Sequence, residues 1–134
     1  IDSSAILFSI PISAWVAAIL LINEVPDIAA DGATGKRTLP VRLGLNGTAV
    51  VYLLLHIAAA AATVVLTLRG GLPLLAPLAP IALLLLGVKA AGAIRNGIAD
   101  REGMTKAIEM TLGIHTIGAI WLAGCALFVA FFGA

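Results

Sequence analysis

Four long runs of apolar residues, interrupted by a single formal charge at Lys89, decide what this chain can fold into. A hydrocarbon core about 30 Å thick takes about 20 apolar residues of helix to cross. Runs of that order lie at 5–22, 48–68, 72–94 and 112–132. Hydrophobic residues make up 61% of the 134 and charged residues 11%, with a mean hydropathy of +1.12. Soluble domains carry about 25% charged residues, so a water-soluble globule, a disordered chain and a nucleic-acid binder are all disfavoured. The expectation is an all-α polytopic transmembrane helical bundle, with residues 1–134 forming one partial domain. The lone cysteine, Cys125, permits neither an intramolecular disulfide nor a cysteine-built zinc site, and suits the role of small apolar filler.

The connections are uneven. Arg69-Gly70-Gly71 alone joins the second run to the third, which predicts a tight turn and an antiparallel hairpin. The connections 23–47 and 95–111 are long and hold nearly all the charge. Two runs separate them, so both lie on one side of the membrane. They carry Lys36, Arg37, Arg42, Arg95, Arg101 and Lys106, against Arg69 alone on the other side, and this bias assigns them to the cytoplasm. Ile1 is not a methionine and no basic segment precedes the first apolar run, so the chain is expected to be a fragment whose other helices lie upstream. The alanine run 58–62 suits close helix packing. Pro11, Pro73, Pro77 and Pro80 would bend or interrupt helices.

The chemistry is concentrated in the segment 23–44. Asp27 and Asp31 are four apart and share a face if helical, where two carboxylates repel by about a few tenths of a kcal/mol. A divalent cation offsets that repulsion. Magnesium in particular is held by one or two carboxylates together with phosphate oxygens and water. Asn23 lies one turn further back on the same face if the helix continues, but Pro26 opposes that continuity. Gly32 and Gly35 then release the chain into Lys36-Arg37-Thr38, two cations and a hydroxyl. Carboxylates, a metal and basic side chains together are what a diphosphate requires. The plainer alternative is a solvated loop in which Asp pairs with Lys36 and Arg37. A P-loop is excluded, because Ala30 stands at its first glycine and Arg37 at its Ser/Thr. The CDP-alcohol phosphotransferase pattern also fails, since no Ala-Arg pair or later spaced aspartates follow Asp31-Gly32.

The segment from Asn23 to Gly44 resembles the second aspartate-rich motif of the UbiA superfamily of intramembrane prenyltransferases. Asp27 and Asp31 form its D-x-x-x-D pair, and Gly35-Lys36-Arg37-Thr38-Leu39-Pro40-Val41-Arg42-Leu43-Gly44 its downstream part. The Asn-Glu-x-Pro-Asp opening and Gly-Lys-Arg-Thr are closer to the dihydroxynaphthoate-type branch than to the hydroxybenzoate branch. The four runs are similar to the C-terminal part of the family's nine-helix fold. The resemblance implies Mg2+-dependent transfer of a prenyl chain from a polyprenyl diphosphate to an aromatic, quinone-precursor-like acceptor within the bilayer. It implies magnesium ligation by Asp27 and Asp31, and diphosphate binding by Lys36, Arg37 and Asn23. The family's first aspartate-rich motif shares the metals and is missing here, so this chain alone would be incomplete and inactive. The family also implies a prokaryotic plasma membrane, with the site on the cytoplasmic face.

Other polar residues have simpler readings. Lys89 lies within snorkelling reach of the interface. His56 is expected to be satisfied by a neighbouring helix. His115 and Tyr52 are candidates for lining the acceptor cavity, with an interfacial anchor as the alternative for Tyr52. Arg42 would touch phosphate or anchor the second span. The mixed charges of 95–109 suit a solvated face, leading into a short interfacial helix around Met104, Ala107 and Ile108. Two rival functions fit the same residues. One is a small transporter or channel subunit gated by the charged loop; the other is a non-catalytic membrane assembly factor.

Overall fold

The computed structural model describes residues 3–133, and every regular element among them is helical. The order is α1 (Ser3–Asn23), α2 (Ile28–Ala33), α3 (Leu39–Leu68), α4 (Leu78–Asn96), a 3-10 turn (Gly97–Asp100) and α5 (Arg101–Phe132). The all-α expectation therefore holds. Ser3–Asn23, Leu39–Leu68 and the run Leu78–Phe132 are each long and apolar enough to cross a membrane. The last of these is two helices side by side, because Gly97 turns the chain back at φ 57°. Only glycine adopts that region without strain. A Cβ at Gly97 would also meet Leu45 Cδ1 at 2.9 Å, so the turn is pressed against α3.

The four long helices close into a ring: α1 packs on α3 and α5, α3 on α4, and α4 on α5. The outward surface is apolar, with Leu20, Leu54, Leu85, Ile120 and Phe131 all more than half exposed. Apolar residues on that scale face lipid rather than water. Inside are two layers. One, at the end that carries α2 and the 3-10 turn, is built from Ala18, Ile22, Ala49, Tyr52, Ala91 and Ile94. The other contains Trp15, Ala59, Leu66, Leu72, Leu83 and Ile114. Ala59, Ala60 and Ala62 from the alanine run are buried, as helix packing requires.

Three boundaries differ from the apolar runs. α3 begins at Leu39, before the run at Thr48, and bends at Gly44, whose φ of 65° interrupts it. Thr48 Oγ1 donates to the Gly44 carbonyl at 2.7 Å, satisfying an acceptor at the bend. The link between α3 and α4 is longer than Arg69-Gly70-Gly71, since α4 starts at Leu78 rather than Leu72. Pro73 and Pro77 have no N–H to donate, so short turns such as Ala76 N to Pro73 O, 2.9 Å, fill the gap. The short helix foreseen at Met104 is continuous with the last span, and α5 runs unbroken from Arg101.

Candidate functional site

α1 ends at Asn23, and single turns carry the chain onward: Val25 N donates to Ile22 O at 3.2 Å and Asp27 N to Glu24 O at 3.2 Å. Pro26 supplies no donor, so the chain cannot pass through it as α-helix. It re-enters α2 at Ile28. Asp27 immediately precedes that helix and makes no side-chain cap bond. Its backbone carbonyl accepts from Asp31 N at 2.8 Å, which sets the two aspartates one turn apart. Asp27 is exposed, whereas Asp31 is 9% exposed. Asn23 belongs to α1 and is separated from α2 by the turns at Pro26, so the structure does not extend the acidic face to it.

Gly35, at φ 79°, folds the chain back on α2. Lys36 N donates to the Asp31 carbonyl at 2.9 Å, and Lys36 Nζ donates to Asp31 Oδ1 at 2.7 Å. Thr34 Oγ1 donates to the same Asp31 carbonyl at 3.1 Å. The Lys36 ammonium is held above its ordinary 10.5, first by the hydrogen bond to Asp31, then by that carboxylate's charge, with Asp27 adding in the same direction. Both carboxylates therefore act on one positive charge. Among the described residues no group of three His, Cys, Asp or Glu side chains converges, so the acidic set contributed here is a pair. Arg37 is exposed beside Lys36, and Thr38 then caps α3 by accepting from Val41 N at 3.4 Å.

Tyr52 is fully buried, and its hydroxyl lies 2.7 Å from Thr111 Oγ1 on α5. Thr111 donates its own proton to the Ala107 carbonyl at 2.7 Å, so Tyr52 is the donor of the pair. This bridge locks α3 to α5 and engages the hydroxyl internally. His115 is half-buried on α5. His56 differs from expectation, because its Nδ1 bonds the Tyr52 carbonyl of its own helix at 2.9 Å. Its Nε2 has no partner among the described residues. Space for its ring comes from α4, where a Cβ on Gly87 would meet His56 Cδ2 at 3.0 Å.

The mixed charges of 95–109 suit a solvated face, yet part of that stretch faces the acidic segment. Pro26, Ile98, Arg101, Met104, Thr105 and Ile108 line a cleft of about 280 Å³. Pro26 and Ile98 also belong to a second cleft with Ile28 and Ala29 of α2. Arg101 thus stands at the same end of the bundle as Asp27, as the count of spans between the two connections requires, and it shares a cleft with Pro26 itself. The shared cleft has no signal in the sequence, because it depends on how α3 and α4 pack between the two segments.

The model of the UbiA prenyltransferase family matches residues 1–112. No curated protein and no solved structure matches the chain.

Proposed function

The chain belongs to the UbiA prenyltransferase family, and from that premise we propose that it supplies one acidic half of a Mg2+-dependent site for a polyprenyl diphosphate. The reaction is transfer of the prenyl chain to an aromatic, quinone-precursor-like acceptor within the membrane. The observation that carries this reading is the placing of Asp27 and Asp31 one turn apart beside a basic segment, with Asp31 Oδ1 2.7 Å from the Lys36 Nζ. Two carboxylates one turn apart offer hard oxygen donors of the kind magnesium takes. When bound, the metal would supply positive charge against the diphosphate oxygens.

The chain's own residues divide the remaining work. Asp27, exposed and free of any capping duty, and the Oδ2 of Asp31 are the oxygens left for the metal. Lys36 and Arg37 would neutralise the diphosphate as the allylic C–O bond breaks and its electron pair leaves with the phosphate oxygen. A carbon of the aromatic acceptor then forms the new C–C bond and loses a proton. The apolar surroundings of the bundle keep water from the allylic cation. The family's first aspartate-rich motif would supply the other half of the acidic set. The site opens to the cytoplasmic face of a prokaryotic plasma membrane, where both basic connections gather.

The test is Asp27→Ala and Asp31→Ala in the protein that carries this chain, assayed for magnesium-dependent release of diphosphate from a polyprenyl diphosphate. Both variants are expected to insert normally and lose transfer. Full activity in either removes that aspartate from the metal site. Ion or solute flux without diphosphate release would favour a transporter instead.

A further inference from the structure

A separate cleft of about 180 Å³ opens between α4 and α5, lined by neither Asp27 nor Asp31. Lys89 stands on its α4 side and Lys106 on its α5 side, over a floor of Ala90, Ala93, Gly103 and Ala107. The small floor residues leave the space between the helices unfilled, and the two ammonium groups flank it. Lys89 is the single formal charge in the four apolar runs and is exposed. Among the described residues the ion pairs are Lys36–Asp31 and Lys106–Glu102, so Lys89 has no carboxylate partner. Lys106 Nζ lies 2.5 Å from Glu102 Oε1, both well exposed. Glu102 offsets Lys106, and Asp100 is engaged at the end of the floor, where its Oδ1 accepts from Gly103 N at 2.9 Å, which leaves Lys89 as the cation of the cleft without a carboxylate partner.

A charge this far inside an apolar helix needs either water or a counter-ion. Its seven-residue distance from the end of α4 at Asn96 corresponds to about 10 Å of helix, which puts the ammonium at headgroup depth once the side chain extends. Basic pockets between membrane helices at that depth accept lipid phosphates. We infer that this cleft binds the headgroup phosphate of an anionic phospholipid of the surrounding leaflet, with Lys89 as its principal contact and Lys106 as the second. The acyl chains would run along the exposed apolar surface of α4, past Leu85 and Leu86.

The experiment reconstitutes the protein that carries this chain in nanodiscs of phosphatidylcholine mixed with phosphatidylglycerol and counts retained lipids by native mass spectrometry. Phosphatidylglycerol is expected to be kept in preference to phosphatidylcholine. Lys89→Gln should lower its retention about fivefold, the worth of one lysine at an anionic surface, and Lys89→Arg should keep it. Lys106→Gln, on the other helix, should lower it too. Glu102→Gln, which frees Lys106, should raise it, an effect no packing role would produce. Lys36→Gln, in the diphosphate site, should leave it unchanged. Equal retention of the two lipids, or undiminished retention in Lys89→Gln with unchanged helical circular dichroism, overturns the assignment. So does stripping of phosphatidylglycerol by farnesyl diphosphate with magnesium, in wild type and Lys36→Gln alike, which would give the cleft to a prenyl diphosphate.

Discussion

Gly118→Ala is expected to force α1 and α5 apart. Trp15, 2% exposed, lies across Gly118, and a Cβ added there would sit 2.5 Å from Trp15 Cζ3 and 2.9 Å from Cζ2, with Cη2 closer still. Carbon atoms rest at about 3.5–4.0 Å, so the overlap is about 1 Å and a buried indole has nowhere to swing. Overpacking of this kind costs about 1–3 kcal/mol, and this contact belongs at the upper end because several ring atoms are struck. Replacing glycine by alanine in a helix returns about 1 kcal/mol. The net loss should be about 2 kcal/mol. In a Trp15→Phe background the outer ring atoms are gone, so the same substitution should become neutral or stabilise by up to about 1 kcal/mol. Far-UV circular dichroism during SDS titration of the detergent-solubilised protein measures all four members of the cycle. A coupling energy below about 0.5 kcal/mol would refute the reasoning, because it would mean that the two side chains do not meet.

Three further outcomes follow from the same geometry. Thr111→Val leaves the fully buried Tyr52 hydroxyl without its acceptor and should cost about 1–2 kcal/mol. Tyr52→Phe should cost only about 0.6 kcal/mol, typical of one hydrogen bond between membrane helices, and should abolish most of the penalty of Thr111→Val when the two are combined in the SDS titration. Gly97→Ala combines a left-handed residue with a collision against Leu45 and should destabilise by about 1–3 kcal/mol, with faster proteolysis of the turn between α4 and α5 as the direct readout. Lys36 has its proton affinity raised by Asp31, so the stability from that pair is fully present below the ordinary lysine value of 10.5 and disappears as pH rises through the higher folded-state value. Acylation of Lys36 across an alkaline pH series should therefore lag behind Asp31→Asn, and equal rates would argue against the pair.

Most of the fold is legible in the chain because lipid imposes one rule everywhere: backbone groups must bond within their own helix, and charge must leave the span. The apolar runs at 5–22, 48–68 and 112–132 accordingly fall inside α1, α3 and α5, and the charged connections meet at one end. The aspartate spacing and Gly35 likewise carry enough local information to bring Asp27, Asp31 and Lys36 together, since every contact among them lies within ten residues. Helix ends were less legible. Leu72 to Pro77 is as apolar as any span, yet prolines rather than hydropathy decide where α4 begins.

What passes between helices was decided by tertiary structure alone. Nothing in the sequence pairs Tyr52 with Thr111, Trp15 with Gly118, or the Trp121 indole with the Ala76 carbonyl it bonds at 2.9 Å. These contacts depend on which faces of four nearly uniform apolar helices turn inward, and a helix apolar all round gives no amphipathic stripe to choose a face. Packing of small against large residues makes that choice. The same packing brings Arg101 beside Pro26 and Lys89 beside Lys106, because the reversal at Gly97 aligns segments of α4 and α5 that hydropathy treats as separate. Composition thus determined the solvent and local spacing the acidic pair, while the shapes of side chains across the bundle set the register that completes each cleft.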